Sequence, residues 1–193
     1  MPGMKSTGKN TAQVVKVDAD IAIETSEAPF EAAVKRSSPI SIRRYMFSIT
    51  TATKRIAALN KKIRAVAGGT SASKTISILC YLIDNAQRDT KPTLTSIVSE
   101  SIPHLKRGAI RDFQNILKEQ GYWDDKRWNI SDSIYTFETG SKIEFFSTDN
   151  GDKLRGSRRD RLFINEANNT TLDAFDQLEV RTKEFVFLDW NPS

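Results

Sequence analysis

Residues 65–75 read Ala65-Val66-Ala67-Gly68-Gly69-Thr70-Ser71-Ala72-Ser73-Lys74-Thr75. The segment begins as a short apolar run, passes through a turn of small residues, and ends in a lysine and a threonine. An amphipathic run, residues 76–83, follows it directly. A strand, a glycine-rich turn and a helix in this order form the phosphate-binding P-loop, whose backbone N–H groups face the phosphate oxygens. We therefore predict a site for nucleotide phosphates in this segment.

The end of the segment supplies the side chains for this chemistry. Lys74 is predicted to bring a positive charge to the β- and γ-phosphates, and the Thr75 hydroxyl is predicted to ligate Mg²⁺. The usual pattern has a second glycine directly before the lysine, and here Ser73 occupies that position. Glycine is preferred there because the backbone must approach the phosphate closely. Taken alone, the segment therefore also fits a small-residue turn before an ordinary helix.

The composition favours a small, soluble, intracellular protein. The chain has 193 residues, a net charge of +5 and one cysteine, Cys80, which excludes an intramolecular disulfide and fits a reducing compartment. Cys80 is expected to act as a small buried hydrophobe in the helix after the turn. No apolar run is long enough to span a bilayer, and the N-terminus lacks the apolar core of a signal peptide. The basic balance permits a nucleic-acid partner without requiring one.

The pattern of polarity divides the chain into two parts. Residues 1–40 are polar and sustain no helix or strand period, so they are predicted to form a flexible arm. Residues 41–193 alternate strand and helix patterns and are predicted to form one α/β domain. Its first helix is expected over residues 51–60, where apolar side chains recur at helical spacing.

Further elements follow the P-loop segment. The β-branched residues 93–99 predict a second strand, paired in parallel with the P-loop strand because one helix separates the two. A helix is expected over residues 106–120, followed by a β-hairpin formed by residues 134–137 and 142–146. His104 is the only histidine, which excludes a histidine-based metal cluster or a Ser-His-Asp triad. We interpret it as a loop or capping residue.

Two later strands end in polar residues. The apolar run 162–164 leads into Asn165 and Glu166, and the run 184–190 leads into Asn191. Because ligands of open α/β sheets bind at the carboxyl ends of strands, Glu166 is predicted to orient or deprotonate an attacking water, and Asn165 to contact the hydration shell of Mg²⁺. Asn191 is predicted to sense the γ-phosphate. Each run alone also fits a buried strand with a polar exit, but their order and spacing together favour a nucleotide site.

With these motifs, the sequence resembles the ATPase domain of the large terminase subunit, the DNA-packaging motor of tailed bacteriophages. Residues 68–75 resemble its Walker A motif, residues 162–168 its Walker B motif, and Asp189-Trp190-Asn191-Pro192 its coupling motif. The usual Walker B aspartate is replaced by Asn165, so a negative charge is missing there. The resemblance implies a P-loop NTPase fold of the ASCE type, with a mainly parallel sheet flanked by helices. In that fold the coupling strand lies between the P-loop and Walker B strands.

The resemblance also implies an activity and its partners. The domain, residues 41–193, would be a Mg²⁺-dependent ATPase that drives double-stranded DNA into the procapsid. It would act in the host cell cytoplasm as a homo-oligomeric ring on the portal protein, with the small terminase subunit as a further partner and no membrane association. The site residues implied are Gly68, Gly69, Thr70, Ser71, Ala72, Ser73, Lys74, Thr75 and Asn191 for ATP, Thr75 and Asn165 for Mg²⁺, and Lys74, Glu166 and Arg155 for catalysis.

The arginine belongs to residues 149–160, which contain glycines and several basic residues and predict a mobile loop. Arg155 matches the family's arginine that reaches the nucleotide of a neighbouring subunit, with Arg158 as the second choice. Such an arginine stabilises charge on the transferred phosphoryl group. A contact to the DNA backbone, or a plain surface patch, is the alternative interpretation of this cluster.

Two further expectations concern the extent of the domain and its function class. The family continues into an RNase H-like nuclease that residues 1–193 do not encode, and the last strand of the ATPase sheet is expected beyond Ser193. The alternatives to a packaging motor are a helicase or recombination-type P-loop ATPase, and a non-catalytic P-loop module that docks on DNA or the portal. The changes at Ser73 and Asn165 would favour the last of these.

Overall fold

In the residues that the computed structural model describes, 12–17, 51–69, 73–156 and 158–192, eight strands form a single sheet. The strands are β1 (Ala12–Val17), β2 (Ile63–Gly68), β3 (Leu94–Ser99), β4 (Trp128–Asn129), β5 (Ile134–Thr136), β6 (Lys142–Ser147), β7 (Arg159–Ile164) and β8 (Thr182–Trp190). Their order across the sheet is β1-β2-β8-β7-β3-β6-β5-β4. Neighbours from β1 to β6 are parallel, and β5 and β4 add an antiparallel edge. The predicted α/β fold with a mainly parallel sheet and a hairpin is confirmed.

Helices cover both faces of this sheet. They are α1 (Thr51–Ala57), α2 (Lys74–Arg88), α3 (Ile102–Arg107), α4 (Ala109–Glu119), α5 (Gly151–Arg155) and α6 (Leu172–Glu179). Successive residues of a strand point to opposite faces, so Ile97 packs in the core beneath α1 to α4, whereas Val98 packs beneath α5 and α6. Both are fully buried. Burial on two faces explains why the central strands are continuous apolar runs in the sequence.

Two predicted helices are present with different bounds. The helix expected over residues 51–60 is α1, which ends at Ala57. The helix expected over residues 106–120 is formed by the end of α3 and by α4, because the chain leaves helical geometry at Gly108, with φ −110° and ψ −105°. Gly121 follows α4 with a φ of +71° and ends it, since glycine adopts the left-handed region without a steric penalty.

Three expectations need correction. β3 does not pair with the P-loop strand β2, because β8 and β7 lie between these two parallel strands. Residues 12–17, expected within the flexible arm, form β1, which pairs in parallel with β2. The segment 149–160, expected as a loop, contains α5 and the start of β7. The rest of the predicted arm, residues 1–11 and 18–40, lies outside the described residues, and the domain boundary after residue 40 stays a prediction.

A buried ion pair ties the end of α2 to the start of β7. Arg161 lies with Nη2 2.7 Å from Asp89 Oδ1 and Nη1 3.0 Å from Oδ2, while its Nε contacts Glu184 at 2.8 Å. The hydroxyls of Thr93 and Ser141 also donate to Asp89. Burial raises the pKa of Asp89, but the hydrogen bonds from Arg161, Thr93 and Ser141 and the charge of Arg161 outweigh burial and hold this pKa below its ordinary value. The cluster therefore stabilises the fold only while Asp89 is ionised.

Replacing Asp89 with asparagine is expected to lower the free energy of unfolding at neutral pH by about 3 kcal/mol, because it leaves the buried Arg161 without its bidentate partner. The contribution of Asp89 is complete above its unfolded-state pKa of about 4 and is lost as the pH falls through the lower folded-state pKa. Urea unfolding of both proteins at pH 7 and at about pH 3 should therefore show a difference that shrinks on acidification. The control Glu184→Gln, at a carboxylate that is 37% exposed, should cost less than about 1 kcal/mol. Equal stability of Asp89→Asn and wild type at pH 7 would contradict the prediction.

Cys80 provides a second test of the packing. It lies on α2, partly buried against the core, and burial raises the pKa of its thiol to about 11. We expect iodoacetamide to modify the folded chain at pH 8 at least about tenfold more slowly than the guanidinium-unfolded chain, because the thiolate is the reactive form. The rate of alkylation followed by mass spectrometry measures this ratio. Equal rates of alkylation in the folded and unfolded chains would show that the Cys80 thiol is accessible and that its pKa is not raised.

Candidate active site

Three parallel strands end together at the predicted site. β8 stands between β2 and β7, with Val66 of β2 beside Asp189 of β8, and Ile164 of β7 beside Leu188 of β8. The residues that follow these strands therefore meet at one carboxyl edge of the sheet, where ligands of α/β proteins bind. The position of β8 also confirms the place that the resemblance implies for the coupling strand.

Lys74 is the first residue of α2, and its ammonium group is surrounded by oxygens. Nζ donates to the backbone oxygens of Gly68 at 2.7 Å and Gly69 at 2.8 Å, and to Oδ1 of Asn191 at 2.7 Å. Burial lowers the pKa of Lys74, and nearby carboxylates oppose this shift. The structure thus brings together two side chains predicted to bind the nucleotide, Lys74 and Asn191, which are 117 positions apart in the sequence.

Asp189, at the end of β8, was not predicted as a site residue. It is 2% exposed, and its Oδ2 accepts a hydrogen bond from Thr75 Oγ1 at 2.7 Å. Its Oδ1 accepts from Asn165 Nδ2 at 3.1 Å and from the backbone N–H of Glu166 at 2.7 Å. The only sequence signal was its place in the coupling motif, because the contact with Thr75 spans 114 positions. One buried carboxylate therefore connects the P-loop helix with the end of β7.

The environment of Asp189 suits a cation. Burial raises its pKa, and the hydrogen bonds from Thr75, Glu166 and Asn165 together with the charge of Lys74 offset only part of this shift. An additional positive charge beside the carboxylate would therefore stabilise its ionised form. A carboxylate and a hydroxyl are oxygen donors of the kind that Mg²⁺ prefers.

These donors fit Mg²⁺ only together with a nucleotide. In the part of the chain that the structure describes, no three acidic, histidine or cysteine side chains form a group that could hold a metal ion. Magnesium is usually bound through one or two carboxylates plus substrate phosphates, so the residues present are compatible with a metal that arrives with ATP. Asn165 directs Nδ2 toward Asp189 and toward Thr75 Oγ1 at 3.4 Å. The contact of Asn165 with the hydration shell of Mg²⁺ stays a prediction.

Glu166, the predicted base, lies beside the same cluster. Its backbone is in the left-handed region at φ +55°, which costs a non-glycine residue about 1 kcal/mol, and its N–H bond to Asp189 holds it there. Its Oε2 lies 3.3 Å from Nε2 of His104 and 3.4 Å from Nδ2 of Asn169. The side chain is 35% exposed, so water can reach it. His104, interpreted from the sequence as a loop or capping residue, is therefore a helical neighbour of the candidate base.

The backbone geometry of Ser73 explains why the P-loop pattern usually has a glycine directly before the lysine. Its φ is +51° and its ψ is 25°, in the left-handed region that glycine adopts freely. Ser73 and Glu166 are two of the three non-glycine residues with positive φ in the described ranges, and Ser133 is the third. Strained backbone geometry is typical of functional sites.

A cleft of about 170 Å³ opens between these groups. It is lined by residues 73–76, Glu166 and residues 189–191, together with Asp112 of α4. The cleft therefore contains the predicted residues Ser73, Lys74, Thr75, Glu166 and Asn191. Ile76, Asp112, Asp189 and Trp190 complete the lining and were not predicted.

The remaining predicted site residues differ in their relation to the cleft. Gly68 and Gly69 take part through their carbonyl oxygens. Thr70, Ser71 and Ala72 lie outside the described residues, so their predicted role stays a prediction. Arg155, at the end of α5, and Arg158 are exposed and do not line the cleft.

Comparisons with known proteins bear on the fold. No protein-family model matches the sequence, and no curated protein matches it. The large terminase of a thermophilic bacteriophage, also solved in complex with ATP-gamma-S, is similar in structure with a TM-score of 0.59 and 19% identity, over 66% of this chain and 33% of that chain. The ATPase domain of the Thermus phage P74-26 large terminase gives a TM-score of 0.51 and 14% identity over 75% and 65% of the two chains. The HK97 bacteriophage large terminase gives a TM-score of 0.54 and 11% identity, over 81% of this chain and 34% of that chain.

At these identities the similarity shows the fold. The mainly parallel sheet flanked by helices is the one found in phage large terminases, so the resemblance that the motifs indicate is confirmed at the level of the fold. The chain spans about a third of the length of the first of these terminases, the one also solved with ATP-gamma-S.

In the described ranges, no helix combines the length and the apolar character needed to cross a membrane.

Ser73 allows a test of strain at the site. Ser73→Gly is expected to raise the free energy of unfolding by up to about 1 kcal/mol, because glycine removes the left-handed penalty, less the entropy that glycine adds to the unfolded chain. Ser101→Gly is the matched control, since Ser101 stands at the N-cap position of α3 with extended geometry at φ −144°. This substitution should not raise the free energy of unfolding. Thermal unfolding of the two variants measures the contrast. A Ser73→Gly chain less stable than Ser101→Gly would contradict the prediction.

Proposed function

We propose that this chain is the ATP-hydrolysing motor domain of a phage large terminase, which drives double-stranded DNA into the procapsid. The observation that carries the proposal is the convergence of Lys74, Thr75 and Glu166 at the carboxyl edge of the sheet, in a fold shared with phage large terminases. A phosphate-binding lysine, a hydroxyl ligand for a metal and a carboxylate base are the parts that ATP hydrolysis requires. The complex of the thermophilic bacteriophage terminase with ATP-gamma-S supports a nucleotide as the ligand of this cleft.

Each residue has a defined task in this proposal. Lys74 exchanges part of its present hydrogen bonds for oxygens of the β- and γ-phosphates. Thr75 holds Mg²⁺, which when bound neutralises charge on the phosphates. Glu166 accepts a hydrogen bond from the attacking water and orients it, with His104 and Asn169 fixing its side chain. Asn191, bonded to Lys74, contacts the γ-phosphate and links it to β8.

The proposal extends to assembly. We place the domain in a homo-oligomeric ring on the portal protein, in the host cell cytoplasm, with double-stranded DNA and the small terminase subunit as partners. The net charge of +5 favours contact with the DNA backbone. Arg155 is exposed at the end of α5, where it is accessible to a neighbouring subunit, and in this proposal it stabilises the transferred phosphoryl group there.

ATP turnover with and without duplex DNA tests the catalytic assignment. Lys74→Ala is expected to lose ATP-gamma-S binding and turnover together, because the phosphates lose their fixed positive charge. Glu166→Gln is expected to keep ATP-gamma-S binding and to lose turnover by about 10²- to 10⁴-fold, because only the base is removed. Lys91→Ala and Glu119→Gln, at exposed positions, are the matched controls and should behave as wild type.

The outcomes separate the alternatives. Turnover that duplex DNA stimulates, and that both site variants lose, supports the motor. Turnover coupled to strand separation would favour a helicase-type ATPase instead. A folded wild-type chain that binds no ATP-gamma-S would favour a non-catalytic binding module.

Mixing two inactive variants tests the role of Arg155. Arg155→Ala keeps Glu166, and Glu166→Gln keeps Arg155, so a ring that contains both can form complete sites between unlike subunits. The mixture is therefore expected to regain turnover that neither variant shows alone. Arg158→Ala in place of Arg155→Ala is the control. If only the mixture of Glu166→Gln with Arg158→Ala regains turnover, Arg158 rather than Arg155 is the arginine that reaches the neighbouring subunit. If neither mixture regains turnover, the result contradicts a site shared between subunits.

A further inference from the structure

We propose that Asp189, at the end of β8, supplies the carboxylate for the divalent cation of the bound nucleotide. This inference rests on the proposed function, because the cation is expected to enter with ATP. It differs from the arrangement predicted from the sequence, in which Thr75 and the uncharged Asn165 hold the metal. The charge missing from β7 is instead provided by the neighbouring strand.

The contact between Asp189 and Thr75 is the first support. Thr75 Oγ1 donates its proton to Asp189 Oδ2 at 2.7 Å. A hydroxyl that has donated its proton keeps two lone pairs. One of them accepts a long contact from Asn165 Nδ2 at 3.4 Å, and the other leaves the oxygen of Thr75 available as a ligand for a cation. The carboxylate that orients this hydroxyl lies beside the same point and can bind the cation directly or through its water shell.

The sheet register is the second support. Because Ile164 pairs with Leu188, the next residues, Asn165 and Asp189, lie at the same level of adjacent strands. The negative charge is therefore displaced sideways by one strand spacing, about 4.8 Å, toward the P-loop strand, which is the other neighbour of β8. Asn165 Nδ2 donates to Asp189 at 3.1 Å, as an outer partner that orients a metal ligand does.

The burial of Asp189 is the third support. The residue is 2% exposed, and it forms no salt bridge with any residue that the structure describes. The ammonium group of Lys74 is hydrogen-bonded to Gly68, Gly69 and Asn191 rather than to this carboxylate. A buried carboxylate without a direct cationic partner is costly, and a divalent cation beside Thr75 would compensate it.

The test compares ATP-gamma-S affinity in excess EDTA with affinity in excess Mg²⁺, by calorimetry on the full chain of 193 residues. The ratio of the two dissociation constants is the gain due to the metal. Asp189→Asn is expected to reduce this gain by about 10- to 100-fold. The double variant Asn165→Asp/Asp189→Asn returns the charge one strand away and should recover most of the gain. Asp173→Asn, at an exposed position on α6, is the control for removing a carboxylate.

The single variant Asn165→Asp gives an independent answer in a chain that keeps Asp189. If Asp189 already serves the cation, a second carboxylate adds little to the gain due to the metal. If the wild-type site lacks a metal carboxylate, Asn165→Asp creates one, and the gain rises by about 10- to 100-fold. A rise of that size would overturn the assignment. Mn²⁺ binding in the presence of ATP-gamma-S, followed by electron paramagnetic resonance, is the second measurement and should weaken in Asp189→Asn alone among the single variants.

Three further outcomes would overturn the inference. An Asp189→Asn chain that keeps the full gain due to the metal shows that Asp189 does not serve the cation. A loss that Asn165→Asp/Asp189→Asn fails to recover shows that Asp189 acts as a hydrogen-bonding centre for Glu166 and Thr75. A wild-type chain that binds no ATP-gamma-S in either buffer overturns the proposed function and this inference with it, so the two failures are distinguishable.

Discussion

The hydrogen bonds to the Asp189 carboxylate are the interaction on which the candidate site depends. A buried carboxylate has to be satisfied by several donors, and the donors here come from Thr75 on α2 and from Asn165 and Glu166 after β7. These groups can meet only if β8 lies between β2 and β7, which is the observed order. The strand order therefore brings one buried carboxylate into contact with both the P-loop helix and the predicted base.

Two residues of the site have strained backbone geometry, and the same carboxylate holds one of them. Glu166 is held at a positive φ by the bond from its N–H to Asp189, and Ser73 adopts a positive φ where the P-loop passes into α2. Such geometry persists only where the surroundings over-determine it. Both residues are anchored against buried structure, since Lys74 follows Ser73 and is fixed by three hydrogen bonds. Hydrogen bonds of the buried side chains of Asp189 and Lys74 therefore support the strained geometry.

The comparison between sequence and structure separates local from distant information. Apolar periodicity located α1, the hairpin and the central strands, because these depend on neighbours within a few residues. It could not show that β8 separates β2 from β3, since β8 begins at Thr182, far along the chain; only the resemblance to a family implied that arrangement. For the same reason the sequence places Asp189 in the coupling motif but does not predict its contact with Thr75. The strand β1 was missed because residues 12–17 are too few to show a period against their polar surroundings.

The ammonium group of Lys74 gives the site a link between ligand and fold. An ammonium group has three N–H donors, and all three are engaged, two by carbonyls of the P-loop and one by Asn191. A phosphate oxygen can therefore be bound by Lys74 only in exchange for one of these acceptors. The two carbonyls belong to the loop that precedes α2, whereas Asn191 is an exposed side chain at the end of β8 and is the acceptor most easily released. In the proposed function, a phosphate oxygen takes the place of Asn191 on Lys74, and the released Asn191 amide contacts the γ-phosphate from the end of the strand that also carries Asp189.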